Sequence, residues 1–196
     1  AVPVLAVVAV PLWSATWAGS VDAEPTELGW PLPEGTYRVG QGGNSPVMNH
    51  HHRVPAQRHA LDLVRVAPFG TRAHVLLPLA LEDYRIWGST VVAPCSGRVV
   101  GLASGHPDLQ PPDTDRDHPA GNYVALYCRD ATVVLAHLQQ DTVRVNAGDA
   151  VAQGDRLGRV GNSGNTSEPH LHIHAVRGRV EDHDAQIWQG EGIPVS

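Results

Sequence analysis

Short apolar stretches separated by turn residues run through most of this sequence. Each stretch is rich in β-branched side chains and is bounded by Gly, Pro, Asn or Asp, a pattern typical of strands. With 20 Gly and 16 Pro in 196 residues, turns are frequent and long helices are disfavoured. The pattern predicts strands over residues 36–39, 60–66, 90–93, 97–103, 122–127, 132–137, 141–145, 156–160 and 170–176.

The spacing of these strands favours an antiparallel sheet or a small barrel. Two segments between them, 40–56 and 104–120, show no periodic apolar face and are predicted as loops. Residues 76–87 are predicted to hold one helical turn or an insertion. The chain is long enough for one domain with a sizeable core. We expect that domain to be mostly β, with long loops.

The two ends of the chain differ from this middle region. Residues 1–12 are almost wholly apolar, but Pro3 and Pro11 interrupt them and the run is too short to span a bilayer. It is either a buried strand or two, or the remnant of an upstream membrane or signal segment. We therefore predict an N-terminal extension over 1–27, a domain over 28–180 and a C-terminal tail over 181–196.

The charge pattern excludes several classes of function. The formal net charge is −6, and every one of the 14 basic residues is arginine. No basic cluster is visible, which argues against nucleic-acid binding. The absence of lysine excludes Schiff-base catalysis and a P-loop lysine. It also excludes a lipoyl or biotinyl carrier, although the Gly-Asp rhythm of residues 145–158 resembles one.

Histidine is the unusual component, with 12 residues, of which seven lie in the two segments 49–59 and 169–174. In a strand, residues two apart share a face, so Leu171 and Ile173 are predicted to enter the core. His170, His172 and His174 would then point together toward a cleft. Imidazole is a common metal ligand and proton carrier near neutral pH, so this face favours metal chemistry. The alternative is a polar strand face that contains histidine without function.

Asp62 and His137 become candidate site residues only in combination with that histidine face. Asp62 enters an otherwise apolar strand, where a carboxylate is costly to bury unless a cation receives it. A zinc ion would do so, although an Asp at a strand start is more often a turn or cap residue. His137 ends the apolar run 132–136, and a lone histidine at a strand end is usually structural.

The ordered combination of motifs resembles the lysostaphin-type zinc endopeptidases, peptidase family M23, over residues 28–176. The motifs that carry the resemblance are Ala-Leu-Asp-Leu at 60–63, Ala-Pro-Cys-Ser-Gly-Arg-Val at 93–99, Gly-Asn-Tyr-Val at 121–124, Ala-His-Leu at 136–138, Val-Asn-Ala-Gly-Asp-Ala-Val at 145–151, Gly-Asn-Ser-Gly-Asn-Thr at 161–166 and His-Leu-His at 170–172. The resemblance implies an antiparallel sheet or small barrel-like sandwich of the duplicated hybrid motif kind.

The resemblance also implies one zinc ion bound by His, Asp and His. It assigns Asp62 and His172 as metal ligands, and His137 and His170 as catalytic residues. The family's first ligand usually lies four residues before the aspartate, where this chain has Arg58. Family members with a longer segment between the first histidine ligand and the aspartate have that histidine in an Asn-x-His pattern.

That pattern selects His51 as the first metal ligand, with His52 and His59 as alternatives. On an extended segment, His50 and His52 would face away from His51 unless the loop bulges.

The expected function is that of a zinc endopeptidase that cleaves peptide bonds in peptidoglycan cross-bridges or stem peptides. The alternative is a catalytically silent regulator of the same fold that binds peptidoglycan or a partner. We expect an extracytoplasmic monomer, with membrane contact only through a missing upstream segment. Cys95 and Cys128 lie at strand ends, where either a disulfide or two buried thiols fit the sequence.

Overall fold

The computed structural model describes residues 24–180 and 187–196. Residues 1–12, predicted as a buried strand or two or as the remnant of an upstream segment, lie outside the described residues. The strands are β1 Tyr37–Gln41, β2 Leu61–Arg65, β3 Thr90–Val92, β4 Gly97–Ala103, β5 Asn122–Cys128, β6 Ala131–Leu138, β7 Ala150–Val151, β8 Arg156–Arg159, β9 Leu171–Arg177 and β10 Gly192–Ile193. Short 3-10 helices cover His50–Arg53, Pro55–Gln57, Pro68–Gly70 and Leu81–Asp83.

Antiparallel pairing organises these strands into two sheets. The larger has the order β1-β2-β9-β6-β5-β4-β7, with β10 also paired to β9, and the smaller joins β3 to β8. This confirms the predicted mostly β, antiparallel fold. The two end strands of the larger sheet, β1 and β7, are not paired to each other, so the described part of the chain contains no closed barrel.

Most of the predicted strands are confirmed to within one or two residues. The strand predicted over 141–145 is wrong, because Asp141 adopts a positive φ of 57° and the Thr142 hydroxyl takes up local hydrogen bonds. That hydroxyl donates to the Gln139 carbonyl and accepts from the Arg159 N–H, which replaces a regular ladder. Strands β7 and β10 have two residues each, too few to show a pattern.

The central strands β5 and β6 are buried on both faces. Val124 and Leu126 belong to one apolar cluster, whereas Tyr123 and Ala125 belong to another. Ile187 joins the second cluster, so the C-terminal segment covers part of this face. Burial on both faces explains why these strands are almost continuously apolar rather than alternating. Among the described residues, no helix is both long and apolar enough to cross a membrane.

A disulfide joins Cys95 to Cys128, with 6.1 Å between their Cα atoms. It links the chain just before β4 to the end of β5 across a sequence separation of 33 residues. Of the two sequence-based alternatives, the structure selects the disulfide.

Replacing both cysteines with alanine is expected to lower the free energy of unfolding by about 2–4 kcal/mol, because the unfolded chain gains the freedom of an open loop. Urea denaturation measures the difference, and the parent protein in reducing agent provides the control. An unchanged free energy of unfolding would show that the bond adds no stability.

Candidate metal and catalytic site

Strand register makes neighbours of residues far apart in the sequence. Asp62 pairs with His172 across β2 and β9, and His172 pairs with Ala136 across β9 and β6. His137 follows Ala136 on β6, and His170 immediately precedes β9. The predicted histidine face of β9 is therefore placed beside both Asp62 and His137.

The Asp62 carboxylate lies at the centre of this cluster and is buried. Its Oδ2 is 2.9 Å from His51 Nε2, and its Oδ1 is 2.9 Å from His172 Nδ1. His170 Nε2 is 3.5 Å from the same Oδ1. Burial alone would raise the pKa of Asp62, but these imidazoles outweigh that effect and hold the pKa well below its ordinary value. Asp62 is therefore a carboxylate at neutral pH.

His51 reaches the carboxylate from a 3-10 helix, His50–Arg53, rather than from an extended segment. Successive side chains on such a helix are about 120° apart, so neighbours need not face opposite sides. The His50 ring packs on the His51 ring at a centroid separation of 3.8 Å. Potential ligand atoms of His50, His51 and Asp62 all lie within 4.8 Å of one another.

The other two alternatives for the first ligand point elsewhere. His52 Nε2 lies 3.2 Å from Asn44 Oδ1. Burial, followed by the charges of Arg58 and His52, lowers the pKa of His59, and Asp62 is not among the groups that shift it. Of the predicted candidates, His51 is the one that contacts Asp62.

Asn49 holds the His51 helix in place and was not singled out as a scaffold residue from the sequence. Its amide is fully buried. The Oδ1 atom accepts from the His51 N–H, and Nδ2 donates to the carbonyls of Gly43, Arg58 and Ala60. The Asn in the Asn-x-His pattern is thus an N-cap that joins the helix to both flanking segments. Its burial, which sequence does not report, reveals this role.

His137 and His170 are oriented in the same way by backbone carbonyls. His137 Nδ1–H donates to the Ser163 carbonyl over 2.9 Å, and His170 Nδ1–H donates to the Glu168 carbonyl over 2.8 Å. In each neutral ring the Nε2 atom is therefore the unprotonated nitrogen. The ring centroids are 4.7 Å apart. Both rings are arranged to exchange a proton through Nε2.

A local irregularity in β6 aims the His137 side chain. Tyr123 pairs with Ala136 and Asn122 pairs with Leu138, so His137 is an extra residue in the ladder. Its φ of 61° lies in the left-handed region, which is uncommon for a residue with a side chain. Bulges of this kind re-aim side chains next to active sites.

The electrostatic environments of these two histidines differ. Burial and the charges of His170 and His172 lower the pKa of His137 well below its ordinary value. Burial would also lower the pKa of His170, but the charge of Asp62 and hydrogen bonds to Asp62 and Glu168 raise it instead. His170 is therefore the better proton acceptor of the pair, and His137 stays neutral at pH 7.

His174 lies on the predicted histidine face of β9, but it is buried behind His172 rather than pointing into the cleft as predicted. Its ring is almost fully buried, with Nδ1 3.0 Å from His172 Nε2 and Nε2 3.0 Å from the Ile187 carbonyl. Burial, followed by the charge of His172, lowers the pKa of His174 to about 3.

An open cavity of about 510 Å³ lies over the cluster. Its lining includes Asp62, His137, His170 and the polar segment 165–168. The glycines of the neighbouring segment 161–166 pack tightly against other parts of the chain. A Cβ on Gly161 would lie 2.4 Å from Gln139 and Asp108 atoms, and one on Gly164 would lie 2.4 Å from the Gly121 nitrogen. These glycines permit loops to pack closely, and residues 165–168 face the cavity.

A second group of potential ligands lies on loop 104–120 and comprises His106, Asp115 and His118. His118 Nδ1 lies 2.9 Å from Asp115 Oδ2, so these two already form an ion pair when the imidazole is protonated. The pair is partly exposed, and such pairs contribute little to stability.

The sequence profile of Peptidase family M23 matches residues 83–184, just over half of the chain. This chain belongs to peptidase family M23. The matched span of this M23 chain contains His137, His170 and His172, whereas His51 and Asp62 precede it. The case for those two residues therefore depends on their motifs and on their contacts with His172.

The peptidoglycan DD-endopeptidase ShyA of Vibrio cholerae is 34% identical to this M23 chain over 110 residues. The match covers 53% of this chain but only 25% of ShyA. Among solved structures, a zinc-containing peptidase from Vibrio cholerae has a TM-score of 0.45 at 18% identity, covering 87% of this chain and 41% of that one. The solution structure of lysostaphin has a TM-score of 0.44 at 20% identity, covering 73% and 44%.

Proposed function

We propose that this M23 member is a zinc-dependent endopeptidase that hydrolyses peptide bonds of bacterial peptidoglycan. The observation that carries the proposal is the convergence of His51, Asp62, His137 and His170 on one open cavity, with the buried His172 in contact with Asp62. The match to ShyA, a peptidoglycan DD-endopeptidase, supports peptidoglycan as the substrate. Such a substrate lies outside the cytoplasm, and a disulfide suits that compartment.

The donor set around Asp62 fits a zinc ion. Two imidazole nitrogens, from His51 and His172, each lie 2.9 Å from a different oxygen of a buried carboxylate. A buried carboxylate among nitrogen donors favours a cation, and two histidines with one acidic residue form a ligand set of catalytic zinc sites. We assign these three residues as the ligands. His50 also has a potential ligand atom within 4.8 Å of those of His51 and Asp62, but it is exposed, whereas His172 is buried against the carboxylate.

When bound, zinc would supply a Lewis acid that polarises a peptide carbonyl and lowers the pKa of water. His170 Nε2 would take a proton from the attacking water, since its pKa is raised by Asp62. Residues 165–168 would contact the peptide backbone along the wall of the cavity.

The retained histidines argue against a catalytically silent regulator. A binding module needs neither His137 nor His170, yet each ring lines the cavity and is held at Nδ1 by a backbone carbonyl. The expectation of a monomer and the predicted bounds of 1–27, 28–180 and 181–196 remain part of this proposal.

Digestion of purified peptidoglycan tests the proposed function. Mass spectrometry of the products is expected to show cross-linked muropeptides converted into uncross-linked ones, with the glycan strands intact. A metal chelator should abolish the conversion, and zinc added in excess of the chelator should restore it. Intact cross-links after treatment with zinc-loaded protein would contradict the proposal, and so would cleavage confined to the glycan.

A further inference from the structure

A chain of hydrogen-bonding groups lies behind His172, on the side away from Asp62. His172 Nε2 is 3.0 Å from His174 Nδ1, and His174 Nε2 is 3.0 Å from the Ile187 carbonyl. Both rings are 1% exposed. Trp188 stacks on the His174 ring at a centroid separation of 5.6 Å and an interplanar angle of 22°. The C-terminal segment thus supplies both an acceptor and a cover for His174.

The chemistry of these groups sets the direction of each hydrogen bond. A carbonyl oxygen only accepts, so His174 Nε2 carries a hydrogen. The buried His174 ring has no carboxylate at either nitrogen, which favours its neutral form, and its Nδ1 is then an acceptor. His172 Nε2 must therefore carry the hydrogen that His174 accepts. The remaining nitrogen, His172 Nδ1, faces Asp62 Oδ1, where either a hydrogen or a metal ion must separate its lone pair from the carboxylate oxygen.

The competing tautomer shows what this arrangement prevents. A neutral His172 with its hydrogen on Nδ1 would donate to Asp62 and occupy the position where a metal binds. Its Nε2 would then face His174 Nδ1 with two lone pairs opposed, which is unfavourable in a buried site. Without an acceptor at residue 174 that penalty disappears, and the blocking tautomer competes with the metal.

We infer that His174 is a positioning residue for the metal centre, which accepts from His172 Nε2–H and so keeps His172 Nδ1 available as a ligand. The inference depends on the proposed function, because it takes His172 to be a zinc ligand. It explains why a third histidine of the alternating strand lies buried behind the ligand rather than in the cavity.

Two substitutions at this position separate the hydrogen bond from ring packing. His174→Phe keeps a flat ring beside Trp188 but offers no acceptor. His174→Asn restores an acceptor, since its side-chain oxygen lies near the place of Nδ1. We expect zinc affinity, measured by competition with a chromophoric chelator, to fall about 10–100-fold in the Phe variant and to recover largely in the Asn variant. Trp188→Phe, which changes the stacking alone, should leave the affinity near that of the parent.

Long-range nitrogen–proton NMR correlations of ¹⁵N-histidine-labelled parent protein give a readout that needs no activity and no variant. His172 should carry a hydrogen on Nε2 both with and without zinc, and only the metal-free form should carry a second hydrogen on Nδ1, toward Asp62. A metal-free parent with the His172 hydrogen on Nδ1 alone would overturn the inference. Equal zinc affinity in the parent and the Phe variant would overturn it while leaving the proposed function intact. A parent that binds no zinc would overturn both.

Discussion

Replacing Asp62 with asparagine is expected to reduce zinc affinity by at least about 100-fold and to abolish peptidoglycan hydrolysis. Loss of a residue that merely supports a metal ligand costs about 10–100-fold in affinity, and loss of a ligand should cost more. Asparagine keeps the size of the side chain but removes the negative charge that draws in the His51, His170 and His172 imidazoles. Elemental analysis of the purified variant and chelator competition measure the loss.

His52→Ala provides the matched control for the Asp62 substitution. Its ring contacts Asn44 rather than Asp62, so its removal should leave zinc content at about one ion per chain. His51→Ala and His172→Ala should both lose zinc, as Asp62→Asn does. If the Asp62→Asn protein retained stoichiometric zinc, the assignment of this carboxylate as a ligand would fail. If His52→Ala lost zinc and His51→Ala kept it, the first ligand would be His52.

Replacing His170 with alanine is expected to slow hydrolysis by about 100–10,000-fold while leaving the zinc content unchanged. His170 Nδ1–H donates to the Glu168 carbonyl, and Nε2 lies 3.5 Å from Asp62 Oδ1. This arrangement leaves Nε2 to take a proton from the attacking water. This separation of activity from metal binding distinguishes a proton-transfer residue from a ligand. Turnover of a cross-linked muropeptide and elemental analysis of the same sample measure the two quantities.

His106→Ala is the appropriate control for His170→Ala, because His106 is a histidine of loop 104–120 that does not line the cavity over Asp62. It should retain both zinc and turnover. A His170→Ala protein that lost its zinc would identify His170 as a ligand instead. A variant with full turnover would remove His170 from the mechanism.

Much of the fold follows from local sequence, for a physical reason. Strands such as β4, β5 and β9 are short apolar runs bounded by turn residues, and that pattern reflects the burial of each segment. The segment 141–145 has the same appearance, yet Thr142 forms side-chain hydrogen bonds in place of a ladder. A pattern of residue types does not say whether a hydroxyl or a neighbouring strand will satisfy a backbone group.

The sequence by itself determined the chemistry available to this protein. It excluded lysine chemistry, and the period of two in residues 170–174 put three imidazoles on one strand face. Tertiary structure decided which groups meet. Strand register pairs Asp62 with His172, and a 3-10 helix directs the His51 side chain toward the same carboxylate. The C-terminal segment supplies the Ile187 carbonyl that contacts His174. These contacts join residues up to 110 positions apart, and a periodic pattern reports burial and facing within one element only.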